Sequence, residues 1–165
     1  MNTRQFREEA FAYALKAGCT GAEMVETQGK EFAAGVLAGA VESYTVSRTR
    51  ALGLRVQVEG HDGYASTEAP ADPAALVRAA MDNARAVESE DTHPMASPGT
   101  YQELPQPPDA LHGMSERQKI QLCMELEQAA LAADPRVKRV SNCQVITVSA
   151  GIAIHNTLGL SLIHI

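Results

Sequence analysis

The chain has 165 residues, 45% of them apolar and 21% charged, with a formal net charge of −6. That length suits one domain, or one domain and the start of a second, with enough apolar residues to bury a core. An acidic chain offers no basic patch of the kind that holds a polyanion, so nucleic-acid contact is not expected. The opening Met1-Asn2-Thr3-Arg4-Gln5-Phe6-Arg7-Glu8-Glu9 is polar and lacks an apolar signal core, and no run reaches the roughly 18 apolar residues of a spanning helix. No membrane contact is expected, and the expected compartment is the cytoplasm. Cys19, Cys123 and Cys143 stand far apart without a CxxC pair and read as reduced, structural thiols. His61, His93, His112, His155 and His164 are equally scattered, and none forms HExxH or HExxxH.

In chain order, Thr3 can cap a first helix that runs to about Ala17, with Phe6, Ala10, Tyr13 and Ala17 on one stripe and Gly18 as its C′ residue. From 22 to 67 the glycines interrupt any helical period, and residues 22–27, 31–37, 41–48, 52–59 and 64–67 read as five short strands. Ala33 and Ala34 weaken the second of them. The clearest is the fourth, where Leu52, Leu54, Val56 and Val58 alternate with Gly53, Arg55, Gln57 and Glu59, so that four aliphatic side chains share one face. Gly60-His61-Asp62-Gly63 reads as the hairpin turn after it. Links this short favour antiparallel neighbours. Asp72-Pro73 starts a second helix to about Glu88, packed through Leu76, Val77, Ala80 and Ala84. The fold class is therefore α+β, a mostly antiparallel meander sheet with two covering helices.

Residues 89–108 carry the prolines at 94, 98, 105, 107 and 108 and read as a linker or extended strap. Ser115 and Gln118 form a capping box, and Ile120, Cys123, Met124, Glu127 and Leu131, with Leu122 and Leu126 beside them, give a wide apolar helical face that ends before Asp134-Pro135. Residues 137–148 alternate, with Val140, Ile146 and Val148 on one side and Arg139, Ser141, Cys143 and Thr147 on the other. Ser149-Ala150-Gly151 turns the chain so that 152–155 pairs back. This helix plus hairpin begins a second, incomplete domain. The expected boundaries are 1–90 for the N-terminal α+β domain, 91–113 for the Pro-rich linker, 114–160 for the truncated second domain and 161–165 for a non-native tail.

Gly53-Leu54-Arg55-Val56, a polar turn ending in Gly63, and Tyr64 before Ala65-Ser66-Thr67 resemble the signature of the TldD/PmbA family of metallopeptidases. Glu42-Ser43 ahead of the hairpin, Ala79-Ala80 and Ala84-Arg85-Ala86 behind it, then Asp134-Pro135-Arg136-Val137 and Asn156-Thr157-Leu158-Gly159, match in the same order, closer to the PmbA branch than to the TldD branch. The final Leu160-Ser161-Leu162-Ile163-His164-Ile165 leaves that pattern and resembles translated sequencing-adapter DNA, so the native gene is expected to continue and this stretch to be its N-terminal fragment.

The resemblance implies a cytosolic metallopeptidase subunit that acts on unstructured peptides, paired as a homo- or heterodimer with a TldD/PmbA-type subunit. It puts zinc on a helix of a C-terminal domain, bound by two His around a Glu. No cofactor is expected in the present residues, with zinc in the missing C-terminal domain or the partner subunit. No residue is assigned as catalytic, cofactor-binding or metal-ligating, and the chain by itself is expected to be inactive. Its part would be to shape a cleft, in which an open strand edge accepts an extended peptide by β-augmentation. Arg55 or Arg139, on polar strand faces, could hold a peptide carboxylate, against the plainer reading of solvated arginines. Alternatives are a non-catalytic PmbA-like partner of a TldD-type protease, a DNA gyrase modulator, or an α+β domain of unrelated role. Ser66, Ser115 and Ser149 lack a nucleophile-elbow context, and Gly53 sits in a strand, not a phosphate loop.

Overall fold

The computed structural model describes residues 1–87, 93–102 and 113–163, with the backbone of 164. The expected 91–113 linker lies partly outside them. Three helices, α1 (Thr3–Lys16), α2 (Pro73–Ala86) and α3 (Glu116–Ala132), accompany five strands, β1 (Gly21–Leu37), β2 (Ala40–Val58), β3 (His61–Thr67), β4 (Cys143–Asn156) and β5 (Ser161–His164). The strands form one antiparallel sheet in the order β3-β2-β1-β4-β5. The fold is the α+β class read from the sequence.

The strands are fewer and longer than expected, since 22–27 and 31–37 run together as β1, and 41–48 and 52–59 as β2. Gly29, where a break was expected, lies inside β1 and does not mark a turn. A Cβ on Gly35 would meet the Ser43 hydroxyl at 2.5 Å, a contact that rotation of that side chain can relieve. The real turns are two-residue links at Ala38-Gly39 and Glu59-Gly60, where all four residues take positive φ, as a type I′ hairpin requires. The second turn therefore lies one step before the expected Gly60–Gly63, and His61, Asp62 and Gly63 belong to β3. In the same way β4 passes straight through 149–151, and the chain turns only after Asn156. There the Asn156 carboxamide oxygen accepts the N–H groups of Leu158 and Leu160, and Gly159 takes φ +91°.

Chain contacts divide the molecule into two units. The first comprises 1–28, 49–102 and 151–165. In it Asn2, not Thr3, caps α1 by accepting the Gln5 N–H, and Asp72 caps α2 with Pro73 behind it. Phe6, Ala10 and Ala14 of α1 and Leu76, Val77, Ala80, Met81 and Ala84 of α2 cover Ala22 and Met24 of β1 and Leu52, Leu54, Val56 and Val58 of β2. Each of the larger of these, Met24, Leu52, Leu54, Val56 and Val58, contributes about 1.5–3 kcal/mol by leaving water. Close packing of α2 on β3 rests on Gly63, where a Cβ would stand 2.0 Å from the Ala80 carbonyl.

The second unit comprises 29–48 and 103–150. Its small core is Val36, Cys123 and Cys143, flanked by Met124, Val140 and Val145. The capping box at Ser115 and Gln118 is present. The face that α3 buries differs from the apolar one expected: Lys119, Cys123 and Glu127 are buried, while Leu122, Leu126 and Leu131 are exposed. On β4 the inner and outer faces are likewise exchanged, with Cys143 buried and Val145 packed on the core, but Ile146 and Val148 exposed. Residues 137–142 precede the strand and do not belong to it.

Candidate functional site

In the first unit, the sheet face opposite the helices carries a charged cluster built by hairpin register. Arg55 faces Tyr64 and Gln57 faces Asp62 across the β2–β3 pair, so the four side chains share a surface. The Arg55 guanidinium donates to Asp62 Oδ2 at 2.7 Å and stands 3.9 Å from Glu23. It also donates to the His93 carbonyl, as does the Gln57 amide at 2.8 Å, while the His93 N–H donates to Asp62 at 3.1 Å. Burial pushes the Asp62 carboxyl up, but the His93 N–H, the Arg55 guanidinium and the Gln57 side chain together outweigh it and hold the group below its usual range.

The cluster thus pins 93–96 onto the sheet. Met95 is buried beside Gly21, and the Asn156 amide donates to the Ala96 carbonyl at 2.7 Å. Arg55 is therefore neither a solvated surface arginine nor a free receptor for a peptide carboxylate, because two carboxylates already neutralise it. Its Nε and Asp62 Oδ1 are buried without a partner among the described groups. Beside it lies a shallow groove of about 330 Å³ walled by Val25, Gly53, Leu54, Ala65 and the exposed Tyr64 ring. Arg139 is exposed in the segment before β4.

The sheet leaves two stretches of strand without an outer neighbour among the described residues. Pairing of β3 with β2 ends at Leu52↔Thr67, so 40–51 has a free edge, and β5 covers only 152–155 of β4, which leaves 143–151 free. Unpaired N–H and C=O groups in a row can accept another strand.

Other residues singled out in the sequence fall apart. His155 is half-buried in a cavity of about 700 Å³ with Arg7, Glu8 and Glu26, and burial and the Arg7 charge lower its pKa against the opposing pull of Glu26. His93 has an exposed ring and His61 sits in β3; His112 and the His164 side chain lie outside the described residues. Among the described residues no three His, Cys, Asp or Glu side chains converge on a point that an ion could occupy, so they do not fit zinc.

Two features escaped the sequence reading. Cys123 and Cys143, twenty residues apart, meet with sulfurs at 3.5 Å, and burial, together with the neighbouring Cys143 thiol, pushes the Cys123 thiol up to about 11. Glu127, 2% exposed, accepts the N–H groups of Ala38 and Gly39 at 2.8 and 2.7 Å and so holds the β1–β2 turn. A carboxylate at a helical core position, far along the chain from a tight turn that must satisfy its donors, is the signal that could have raised the second.

Residues 22–84 match the family model described as PmbA/TldA metallopeptidase domain 1, the family whose signature the hairpin sequence resembles. Among solved structures, it is similar to a proposed modulator of a DNA gyrase from Thermotoga maritima, with 21% identity and a TM-score of 0.86 over 99% of this chain and 37% of that one. It is similar to TldE from Thermococcus kodakarensis, with 16% identity and a TM-score of 0.81 over 96% of this chain and 36% of that one. A proposed modulator of DNA gyrase from Bacteroides thetaiotaomicron gives 18% identity and a TM-score of 0.78 over 98% and 38% of the two chains. The chain spans little more than a third of the length of these structures, and at such identities the likeness is one of fold. None of the curated proteins compared with the sequence matches it. No described helix is long and apolar enough to cross a membrane.

Proposed function

We propose that this chain is the N-terminal, cleft-forming part of a cytoplasmic TldD/PmbA-type metallopeptidase subunit that works on unstructured peptides as a homo- or heterodimer. The observation that carries the reading is the match of 22–84 to the first domain of that family, supported by the shared fold over nearly the whole chain. The free edges at 40–51 and 143–151 suit a substrate recognised by its backbone, because an added strand gains main-chain hydrogen bonds with little demand on side chains. Zinc, held by the family's C-terminal domain or by the partner subunit, would polarise the scissile carbonyl and its attacking water. The present residues would align the peptide and keep folded proteins out.

The second reading, a non-catalytic PmbA-like partner or a modulator of gyrase, draws on the names carried by TldE and by the Thermotoga and Bacteroides proteins. A net charge of −6 weighs against direct DNA contact in either case. The deciding experiment expresses the complete reading frame, alone and with any neighbouring TldD-type subunit, and follows cleavage of a flexible fluorogenic peptide with and without zinc. Zinc-dependent cleavage by the complete protein or the pair is expected, and none by residues 1–165. Cleavage by 1–165 would overturn the scaffold role, and an inert complete pair would overturn the peptidase reading.

A further inference from the structure

We infer that the second unit holds a binding site for a small organic carboxylate, in the cavity of about 550 Å³ that Lys119 lines beside the start of α3. The inference stands on the cavity and its charges and does not depend on the peptidase reading. Lys119 is only 8% exposed, yet it forms no ion pair with any described carboxylate. Its ammonium donates to the Thr147 hydroxyl at 2.9 Å and lies 5.3 Å from the centre of the Phe32 ring. An ammonium has three N–H donors, and a buried cation without an anion is costly unless something supplies the charge.

The described walls supply no such charge. Lys30 and Arg117 line the same cavity, and its one carboxylate among the described residues, Glu116, is engaged by the Tyr44 hydroxyl at 2.5 Å. In a chain of net charge −6, three cations against one acid among the described residues therefore meet at one concave site, a local inversion of sign that selects an anion. Phe32, Met114 and Val148 make up the apolar part of the wall, which suits a carboxylate bearing an aliphatic group better than a naked inorganic ion. Two sources share that chemistry: a free small acid and the C-terminal carboxylate of a peptide.

The test titrates the 1–165 protein, labelled with ¹⁵N, with N-acetyl-leucine, its amide, inorganic phosphate, and a leucine-ended hexapeptide as free acid and as amide. N-acetyl-leucine is expected to shift the amides of 115–119 and 147–149 with an affinity at least tenfold above that of its amide and of phosphate. Lys119→Met is expected to lower that affinity by tenfold or more, and the exposed-site changes Lys30→Gln and Arg117→Gln by several-fold each while leaving the spectrum of the free protein intact. A hexapeptide acid that binds at least as tightly as N-acetyl-leucine identifies a peptide terminus as the source; a weaker one identifies the free acid. Equal shifts from acid and amide, phosphate binding as tight as the carboxylate, or no loss in Lys30→Gln and Arg117→Gln would overturn the assignment.

Discussion

Glu127 offers the sharpest check on how the second unit is held together. Its carboxylate accepts the Ala38 and Gly39 N–H groups at 2.8 and 2.7 Å while only 2% exposed. A hydrogen bond to a charged acceptor contributes about 1.5–3 kcal/mol, so the pair contributes roughly 3–6 kcal/mol before compensation. Ala38 and Gly39 are themselves exposed, and in Glu127→Ala their freed donors regain water, which brings the expected loss to about 2–4 kcal/mol. Glu127→Gln keeps the shape and one acceptor but turns an amide N–H₂ toward the second donor, for a loss of about 1.5–3 kcal/mol. That is a large share of the roughly 5–15 kcal/mol that holds a domain folded. Urea denaturation followed by circular dichroism measures the loss, and amide exchange at Ala38 and Gly39 localises it. A Glu127→Gln protein within about 0.5 kcal/mol of the parent, with both amides still protected, would refute the reasoning.

Three further outcomes are expected. Gly63→Ala forces a Cβ against the Ala80 carbonyl, placed 2.0 Å away, and costs about 2–3 kcal/mol in thermal or urea unfolding; a loss under about 0.5 kcal/mol would mean α2 can shift freely on β3. Ala38→Asn sets Asn-Gly in a turn whose first residue has φ +52°, and is expected to raise the Tm by a few degrees, with an unchanged or lower Tm counting against the type I′ assignment. The Cys123 thiol titrates at about 11 when folded against an ordinary value of 9.0, so the folded protein holds this proton more tightly. The stability it contributes is present below pH 9 and is lost as pH rises through about 11, and Cys123→Ala is expected to flatten that part of the alkaline unfolding curve.

Much of the first unit was legible because its signals are local. Asp72-Pro73 and the alternation from Leu52 to Val58 each decide an element within a few residues, and the burial of Leu52, Leu54, Val56 and Val58 follows from period alone. Strand continuity was not legible. Glycine suits a positive-φ turn and also occurs within strands, and sequence does not separate Gly60, at φ +82°, from Gly29, which lies inside β1. The faces of α3 and β4 were misread for a related reason. Hydrophobicity predicts which side is buried only when the core is apolar, and here α3 buries Lys119 and Glu127, each hydrogen-bonded to a partner distant in sequence.

The Arg55 cluster shows where a better reading was within reach. Once Glu59-Gly60 is taken as a two-residue turn, register alone sets Gln57 opposite Asp62 and Arg55 opposite Tyr64, on one face, so a cation and an acid seven residues apart must meet. A turn placed at 60–63 breaks that pairing and leaves Arg55 as an isolated surface charge. The difference bears on function, because an arginine committed to Asp62 and to the His93 carbonyl fastens a strap, whereas Lys119, with only a hydroxyl and a ring as described partners, retains charge for a ligand. Of these two cations, the one without a carboxylate among the described residues is the one able to recognise an anion.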